Sequence, residues 1–193
     1  SFKPEKVSGN ENIFKDWIKR RGYEHCYACN KIYRADMFMF VRYPEGEVFE
    51  DTLITPILFS SSENVFYSDC GFYYYYDNNE SISNSHSFKS YFFLFRNLAT
   101  IHAKVSVING LQEEADRILL RCIDDITDLR RCHDYDKGEF KKAVALLKNK
   151  RIKIDTLYKM DLPIAHKFKY TPFAIFGANI HSLLLSFFRK KLN

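Results

Sequence analysis

Two adjacent carboxylates, Glu50 and Asp51, stand where a Pro-Glu-Gly turn leads into an apolar segment, residues 52–59. A carboxylate held at the mouth of a cleft can take a proton from a hydroxyl group and act as a general base. Acidic residues are also favoured in the first turn of a helix, where they satisfy free N–H groups and oppose the helix dipole. The pair therefore has two interpretations, a helix start and a base, and the neighbouring residues must decide between them.

The composition indicates a folded chain with many aromatic residues. Its 193 residues suit one domain, or one compact unit with an extension, and 46% of them are hydrophobic, which is enough for a core. Most of the 18 Phe and 13 Tyr are expected to pack, although aromatic side chains with polar tips also line sugar-binding sites. The formal net charge is +5, but acids and bases interleave until residues 189–191. Because no concentrated basic stripe is present, we expect no nucleic-acid partner.

The cysteines indicate the compartment and not a site. The chain has five of them, an odd number without the spacing of a disulfide framework, and we expect no signal peptide before them. These features predict a reducing, cytoplasmic location. Cys26 and Cys29 form a Cys-x-x-Cys pair, but no second Cys/His pair follows at zinc-finger spacing. We therefore interpret the cysteines as structural.

The pattern of apolar residues changes near residue 85. Before that point it predicts short elements: a helix over 10–22, an extended segment over 25–34, a turn of helix over 35–43, a helix over 50–62, and two aromatic-rich strands over 64–69 and 70–77. After it the pattern predicts helices over 87–108, 111–132, 138–150 and 178–192. The chain is therefore divided into residues 1–85 and 86–193.

The last predicted helix, 178–192, has an apolar face and ends in Arg-Lys-Lys. The hydrophobic stretch that overlaps it, residues 172–188, is too short and too polar to span a membrane. Its apolar face packs on the preceding helices, as in most globular proteins, or lies on an anionic membrane surface.

Three segments in a fixed order carry a family resemblance: CNKIYRADMF, RYPEGEVFED and VFYSDCGFYYYYDNNESISNS. Over residues 10–86 this series closely resembles the second half of family 2 glycosyltransferases, of the nucleotide-sugar GT-A type, that build bacterial surface polysaccharides such as capsule and lipopolysaccharide. The resemblance implies an α/β fold. Residues 1–85 would be the C-terminal, acceptor-side half of a GT-A domain, with short mixed strands and helices, and residues 86–193 a mostly α-helical extension.

The same resemblance implies an enzyme and its site. In the intact protein a sugar would pass, with inversion, from a nucleotide-sugar donor to a hydroxyl of a saccharide or lipid-linked acceptor. Asp51 matches the family's catalytic base, and Glu50 would hold a backbone group, the acceptor or Asp51 itself, because two adjacent acids cannot point the same way on a helix. The resemblance also places six residues near the substrates: Asn30, Lys31, Glu45, Ser81, Ser83 and His86. Many relatives have Arg where this chain has Tyr76, so the resemblance does not imply the family's phosphate contact at this position.

The resemblance also implies a donor-binding half that ends in an Asp-x-Asp motif and holds Mn or Mg across the diphosphate. Residues 1–45 do not resemble that half, and Asp134-Tyr135-Asp136 follows the base, so we interpret it as a loop. We therefore expect no metal ligand in this chain, and no activity from the chain alone. We also expect self-association through uncovered strand edges, and a cytoplasmic location, peripheral on the inner membrane face.

A second hypothesis needs no catalysis. The chain would be a carbohydrate- or partner-binding module in which the Tyr-rich strands form a stacking surface. Glu50 and Asp51 would then only begin a helix.

Overall fold

The computed structural model describes residues 4–69, 73–74, 76 and 87–188. Its contacts divide the chain into two compact units, Ser1–Asn84 and Ser85–Asn193. Of the described residues, 64% are helical and 5% lie in strands. The boundary between the units lies next to residue 85, where the apolar pattern of the sequence changes.

Unit 1 combines two helices with a small sheet. Strand β1, Glu5–Ser8, pairs antiparallel with β2, Asn64–Tyr67, so that Glu5 lies opposite Tyr67. The helices are α1, Asn10–Lys19, and α2, Glu50–Ser61, and three 3₁₀ turns lie between them: Gly22–Glu24, Ala28–Asn30 and Ala35–Phe38. Residues Arg20 and Glu5 form an ion pair that joins the end of α1 to β1.

The core of unit 1 lies between α1 and α2. On α1 the buried residues are Ile13, Phe14, Trp17 and Ile18, which recur at helical spacing on one face. The rings of Trp17 and Phe59 of α2 are 5.4 Å apart between centroids. This packing holds α2 in place through its C-terminal half and leaves its first turn available for other contacts.

The regular elements of unit 2 among its described residues are helices joined by short loops. Its helices are α3, Phe88–Val105; α4, Gln112–Arg131; α5, Lys137–Leu146; α6, Ile154–Lys159; α7, Ile164–Phe176; and α8, Ala178–Phe188. Two of them begin with side-chain caps: Ser87 accepts a hydrogen bond from the backbone N–H of Ser90, and Asp136 accepts from Gly138 and Glu139. The buried face of α4, which includes Ile118, packs against α3 and α8.

The expected α/β half of a GT-A domain is wrong for this chain. Among the described residues the sheet has only the two antiparallel strands β1 and β2, and helices dominate. Of the Tyr-rich strand predicted over 70–77, the described positions Tyr73, Tyr74 and Tyr76 lie outside regular structure with exposed side chains. Aromatic residues favour strands only when a neighbouring strand and a buried face are available, and the structure pairs none of these three tyrosines with a strand among the described residues.

The helix predictions agree better with the structure. Helices α1 to α5 and α8 fall within or next to the predicted segments, and β2 lies within the predicted 64–69 strand. The extended segment predicted over 25–34 contains a 3₁₀ turn instead. Strand β1 and helices α6 and α7 were not predicted, because β1 has a single apolar residue, α6 is short and α7 contains Pro172.

Candidate active site

The candidate site is built around the first turn of α2. Helix α2 begins at Glu50, as the sequence predicts, and Asp51 is its second residue. The residue before the helix, Phe49, has φ of 57°, in the left-handed region that costs an L-residue energy. Its side chain makes no capping hydrogen bond, so the first turn is supported electrostatically, by the two acids beside the helix dipole.

The Asp51 carboxylate is half-buried and lightly bonded. Thr52 Oγ1 donates to Asp51 Oδ1 at 3.4 Å, a long hydrogen bond, and no other hydrogen bond to this carboxylate is present among the described residues. An isolated carboxylate oxygen accepts readily from a hydroxyl group. The Asp51 carboxylate therefore has the acceptor capacity that a general base needs.

The negative charge of Asp51 contributes to raising the pKa of four groups in the segment before α2. They are the thiol of Cys26, the ammonium of Lys31 and the hydroxyls of Tyr33 and Tyr43. Thr55, one turn after Asp51, donates from Oγ1 to the carbonyl of Cys26 at 2.9 Å. The start of α2 is thus packed against the 26–43 segment, and these side chains form one cluster with Asp51.

Cys26 contributes an inert thiol to the cluster. Burial raises the pKa of Cys26 to about 12, and the Asp51 charge adds to the effect. The thiol lies 3.6 Å from the carbonyl oxygens of Gly22 and Tyr23. Because a thiol that stays protonated is a poor nucleophile and a poor metal ligand, Cys26 is structural. Cys26 and Cys29 are free thiols.

Lys31 organises the loop before α2. Its Nζ donates to the carbonyls of His25, at 2.6 Å, and Tyr27, at 2.8 Å, and to Asn30 Oδ1, at 2.6 Å. Burial lowers the pKa of Lys31, and the charge of Asp51 opposes that shift. An ammonium has three protons to donate, and these three contacts use them. The predicted substrate residues Asn30 and Lys31 therefore lie together, and their hydrogen bonds shape the loop.

The sequence analysis did not single out Tyr33 or Tyr43. Tyr43 is the last residue of the predicted 35–43 turn of helix, and Tyr33 lies two residues before that turn. Their rings enclose Phe38: Tyr33 meets it edge-on at 5.6 Å and Tyr43 stacks on it at 6.0 Å. Both hydroxyl oxygens are buried without a hydrogen bond of standard geometry among the described residues, although Thr55 lies close enough to Tyr33 to lower its pKa.

Burial and the nearby acids set the protonation of both tyrosines. Burial raises the pKa of Tyr33 to about 12, and burial followed by Asp51 and Glu50 raises that of Tyr43. Both hydroxyls therefore stay protonated at neutral pH. A protonated hydroxyl can donate to a ligand bound beside Asp51.

The other predicted site residues lie outside this cluster or outside the described residues. Glu45 is exposed in the turn before α2, next to Gly46, whose φ of +72° suits glycine. Glu50 is half-buried and its charge acts on Tyr43. The remaining three, Ser81, Ser83 and His86, lie outside the described residues.

The described residues do not fit a divalent metal. Nowhere in residues 4–69, 73–74, 76 and 87–188 do three or more His, Cys, Asp or Glu side chains come together as a potential metal site. The Asp134-Tyr135-Asp136 segment has structural contacts instead. Asp134 accepts from the backbone N–H of Phe88 at 2.8 and 3.0 Å, and Asp136 caps α5. No catalytic step is therefore assigned to a metal held by these residues.

The chain was compared with models of protein families, with curated proteins and with solved structures, and none of them matches it.

Proposed function

We propose that this chain contributes the acceptor side of an inverting glycosyltransferase, with Asp51 as the general base. The observation that carries the proposal is the Asp51 carboxylate, which holds one long hydrogen bond from Thr52 and whose charge acts on the buried hydroxyls of Tyr33 and Tyr43. The ordered segments around it resemble those of family 2 glycosyltransferases, which supplies the class of reaction. Function depends on the site more than on the surrounding architecture.

The chemistry explains why a carboxylate is needed. An acceptor hydroxyl attacks the anomeric carbon, the bond to the nucleoside diphosphate breaks on the opposite face, and the hydroxyl proton moves to Asp51. The diphosphate leaves with the bonding electron pair, and the sugar inverts at that carbon. On this proposal the Tyr43 hydroxyl donates a hydrogen bond to the acceptor or to Asp51, and so fixes the direction of attack.

Glu50 has a positioning role on this proposal. Glu50 immediately precedes Asp51 in α2. Its side chain therefore points about a quarter-turn away from that of Asp51 around the helix axis. Its charge adds to that of Asp51 at the Tyr43 hydroxyl. Lys31 and Asn30 set the shape of the loop that faces Asp51.

The donor side enters the proposal only through the family resemblance. The donor would be a nucleotide sugar whose diphosphate is held, with Mn or Mg, by residues other than those described. The acceptor would be a saccharide or a lipid-linked saccharide. The free thiols of Cys26, Cys29, Cys122 and Cys132 fit the cytoplasmic location that the cysteine count predicts.

A transfer assay tests this function. The protein in its full natural length is incubated with a panel of nucleotide sugars and saccharide acceptors, and the anomeric configuration of the product is read by NMR. Inversion relative to the donor is the expected result. Transfer with retention, or turnover that is unchanged when Asp51 is replaced, would overturn the proposal.

Three exposed tyrosines support a second candidate, a carbohydrate-binding module. Tyr73, Tyr74 and Tyr76 expose 61%, 81% and 78% of their surface, so their rings are available to stack on sugar rings. Calorimetry with saccharides separates the two functions. A module loses saccharide binding when Tyr74 becomes Ala and keeps it in Asp51→Asn, whereas the enzyme loses turnover in Asp51→Asn.

A further inference from the structure

Helix α8 turns its apolar stripe away from the protein. Its large exposed residues are Ile180, Leu183, Leu184 and Phe187, which are spaced by three and four and so form one face of the helix. On the opposite face His181 and Ser182 are completely buried. This arrangement is the reverse of the usual amphipathic helix, whose apolar face packs on the core. At these four positions the apolar stripe is exposed by 38% to 77%, whereas the interpretation that it packs on the preceding helices expects it to be buried.

Specific contacts hold α8 in this rotation. Arg130 of α4 donates from Nε to Ser182 Oγ at 3.0 Å and from Nη2 to Asn179 Oδ1 at 2.6 Å. The ring of His181 stacks on Tyr170 of α7, with centroids 6.1 Å apart, and meets Phe173 edge-on at 6.3 Å. The inner face of α8 therefore has specific polar and aromatic partners on α4 and α7. Because these contacts fix the rotation of the helix, the apolar stripe points outward.

Helix α7 adds exposed apolar surface, and a single residue, Gly177, separates it from α8. The large exposed side chains of α7 are Ile164, Phe168, Ile175 and Phe176. Two consecutive helices thus expose eight large apolar residues, far more than scattered surface residues would provide. We call this set of eight residues the α7–α8 face.

The charge of this region identifies what covers the face. The 32 residues after Asp161 contain five Lys or Arg and no Asp or Glu. Of the five, Lys169 forms an ion pair with Asp124 of α4, and Lys167 donates to the carbonyl of Tyr158. Three of the five, Arg189, Lys190 and Lys191, follow α8 directly in the sequence. Apolar side chains together with basic residues and no acids are complementary to an anionic lipid surface.

We propose that the α7–α8 face docks on a membrane surface rich in anionic lipid. Helices that lie in this interface bury their apolar side chains among the acyl chains while Lys and Arg meet the lipid phosphates. No helix among the described residues combines the length and the apolarity needed to cross a bilayer. The proposal does not depend on the glycosyltransferase function, since it uses only unit 2 residues.

Vesicle flotation tests the proposal with the full chain. Binding is measured to vesicles of phosphatidylcholine alone and to vesicles with about one-third phosphatidylglycerol, at low and high salt. The chain is expected to float with the anionic vesicles and to float less at high salt. Leu184→Glu should weaken binding at least about tenfold, because it removes apolar surface and adds repulsion. Replacing Lys190 and Lys191 by Gln should weaken binding to the anionic vesicles but not to the phosphatidylcholine vesicles.

Val107→Glu is the matched control, since Val107 is also exposed in unit 2 but lies in the loop between α3 and α4 and is not one of the eight residues of the face. It should bind as the unchanged chain does, and circular dichroism should show that all variants keep their helices. Equal binding to both vesicle types, or binding that Leu184→Glu leaves unchanged, would overturn the proposal. A dimer in sedimentation velocity that Leu184→Glu dissociates, without vesicle binding, would identify a second copy of the chain as the partner and also overturn it.

Discussion

Thr55 Oγ1 donates a hydrogen bond to the carbonyl oxygen of Cys26, and the two atoms are 2.9 Å apart. Both residues are buried. Because Thr55 lies four residues after Asp51, it shares a face of α2 with the proposed base. The bond therefore turns that face of the helix towards the segment that carries Lys31, Tyr33 and Tyr43.

Replacing Thr55 by Val should destabilise unit 1. Valine has nearly the same shape but no hydroxyl, so the buried Cys26 carbonyl loses its partner, at a cost of about 1–3 kcal/mol. Urea unfolding followed by tryptophan fluorescence measures the change, since Trp17 is in unit 1. Ser61→Ala is the control, because Ser61 is exposed in the same unit and its hydroxyl donates to the Ile57 carbonyl within α2. Equal stability of the two variants would show that the bond contributes little.

The Tyr43→Phe variant tests whether the Tyr43 hydroxyl contacts a ligand or only supports the fold. Its buried hydroxyl has no hydrogen-bond partner among the described residues, so its removal should leave the free energy of unfolding unchanged or raise it by about 1 kcal/mol. If the hydroxyl serves the acceptor, transfer should fall about tenfold, the effect of losing one hydrogen bond in the transition state.

Tyr67→Phe is the matched control for Tyr43→Phe. The Tyr67 hydroxyl is also buried without a standard hydrogen bond among the described residues, but its charged neighbours are Asp16, Arg20 and Glu5. The transfer rate of the Tyr67→Phe variant should equal that of the unchanged protein. A loss of rate of the same size in both variants would mean that the effect comes from unit 1 as a whole.

Gly22→Ala should destabilise unit 1 strongly. A Cβ at this position would lie 2.0 Å from Nε1 of Trp17, whose ring is buried against Phe14 and Phe59 and has no room to move. We expect a loss of about 3 kcal/mol from overpacking. Gly46→Ala meets no atom within 4 Å and strains only its positive φ, so it should cost about 1 kcal/mol. Thermal unfolding compares the two, and an equal loss would exclude the steric explanation.

The helices were predictable because their apolar residues recur at helical spacing, as Ile13, Trp17 and their neighbours do in α1. The predicted strand failed at the described positions Tyr73, Tyr74 and Tyr76, since aromatic residues favour strands only where a partner strand is available. Asp51 could be proposed from its position at a helix start. Tyr33 and Tyr43 could not, because the burial of a hydroxyl depends on contacts between distant residues. Nor could the sequence reveal that α8 exposes its apolar stripe, since periodicity locates a face without saying where it points.

Asp125 of α4 should make the stability of unit 2 depend on pH. It is buried, its Oδ2 has no hydrogen-bond partner among the described residues, and Arg121 is 3.9 Å from Oδ1. Burial raises the pKa of Asp125 to about 8; Arg121 opposes this shift and the nearby Asp128 and Asp124 add to it. The folded state thus keeps a proton that the unfolded state loses.

The folded pKa of Asp125 is above the unfolded one, so its stabilising contribution is complete below about pH 4 and is lost as pH rises to about 8. The slope approaches 1.4 kcal/mol per pH unit at most. Asp125→Asn, which cannot ionise, should remove this slope and unfold at a higher temperature than the unchanged chain near pH 8. Melting temperatures across that range test this, with the exposed Asp155→Asn as control. A slope that persists in Asp125→Asn would assign it to another group.

The rate of sugar transfer by Asp51→Asn tests the central claim most directly. In the full natural protein, asparagine keeps the shape of Asp51 but cannot accept the proton, so we expect turnover to fall by about 10² or more, with donor affinity and melting temperature nearly unchanged. Glu50→Gln should lose less, because its role is positional, and the control Asp155→Asn, in the first turn of α6, should lose nothing. Asp51→Asn that turns over at the normal rate and melts at the normal temperature would contradict the account and leave Asp51 as part of a helix start.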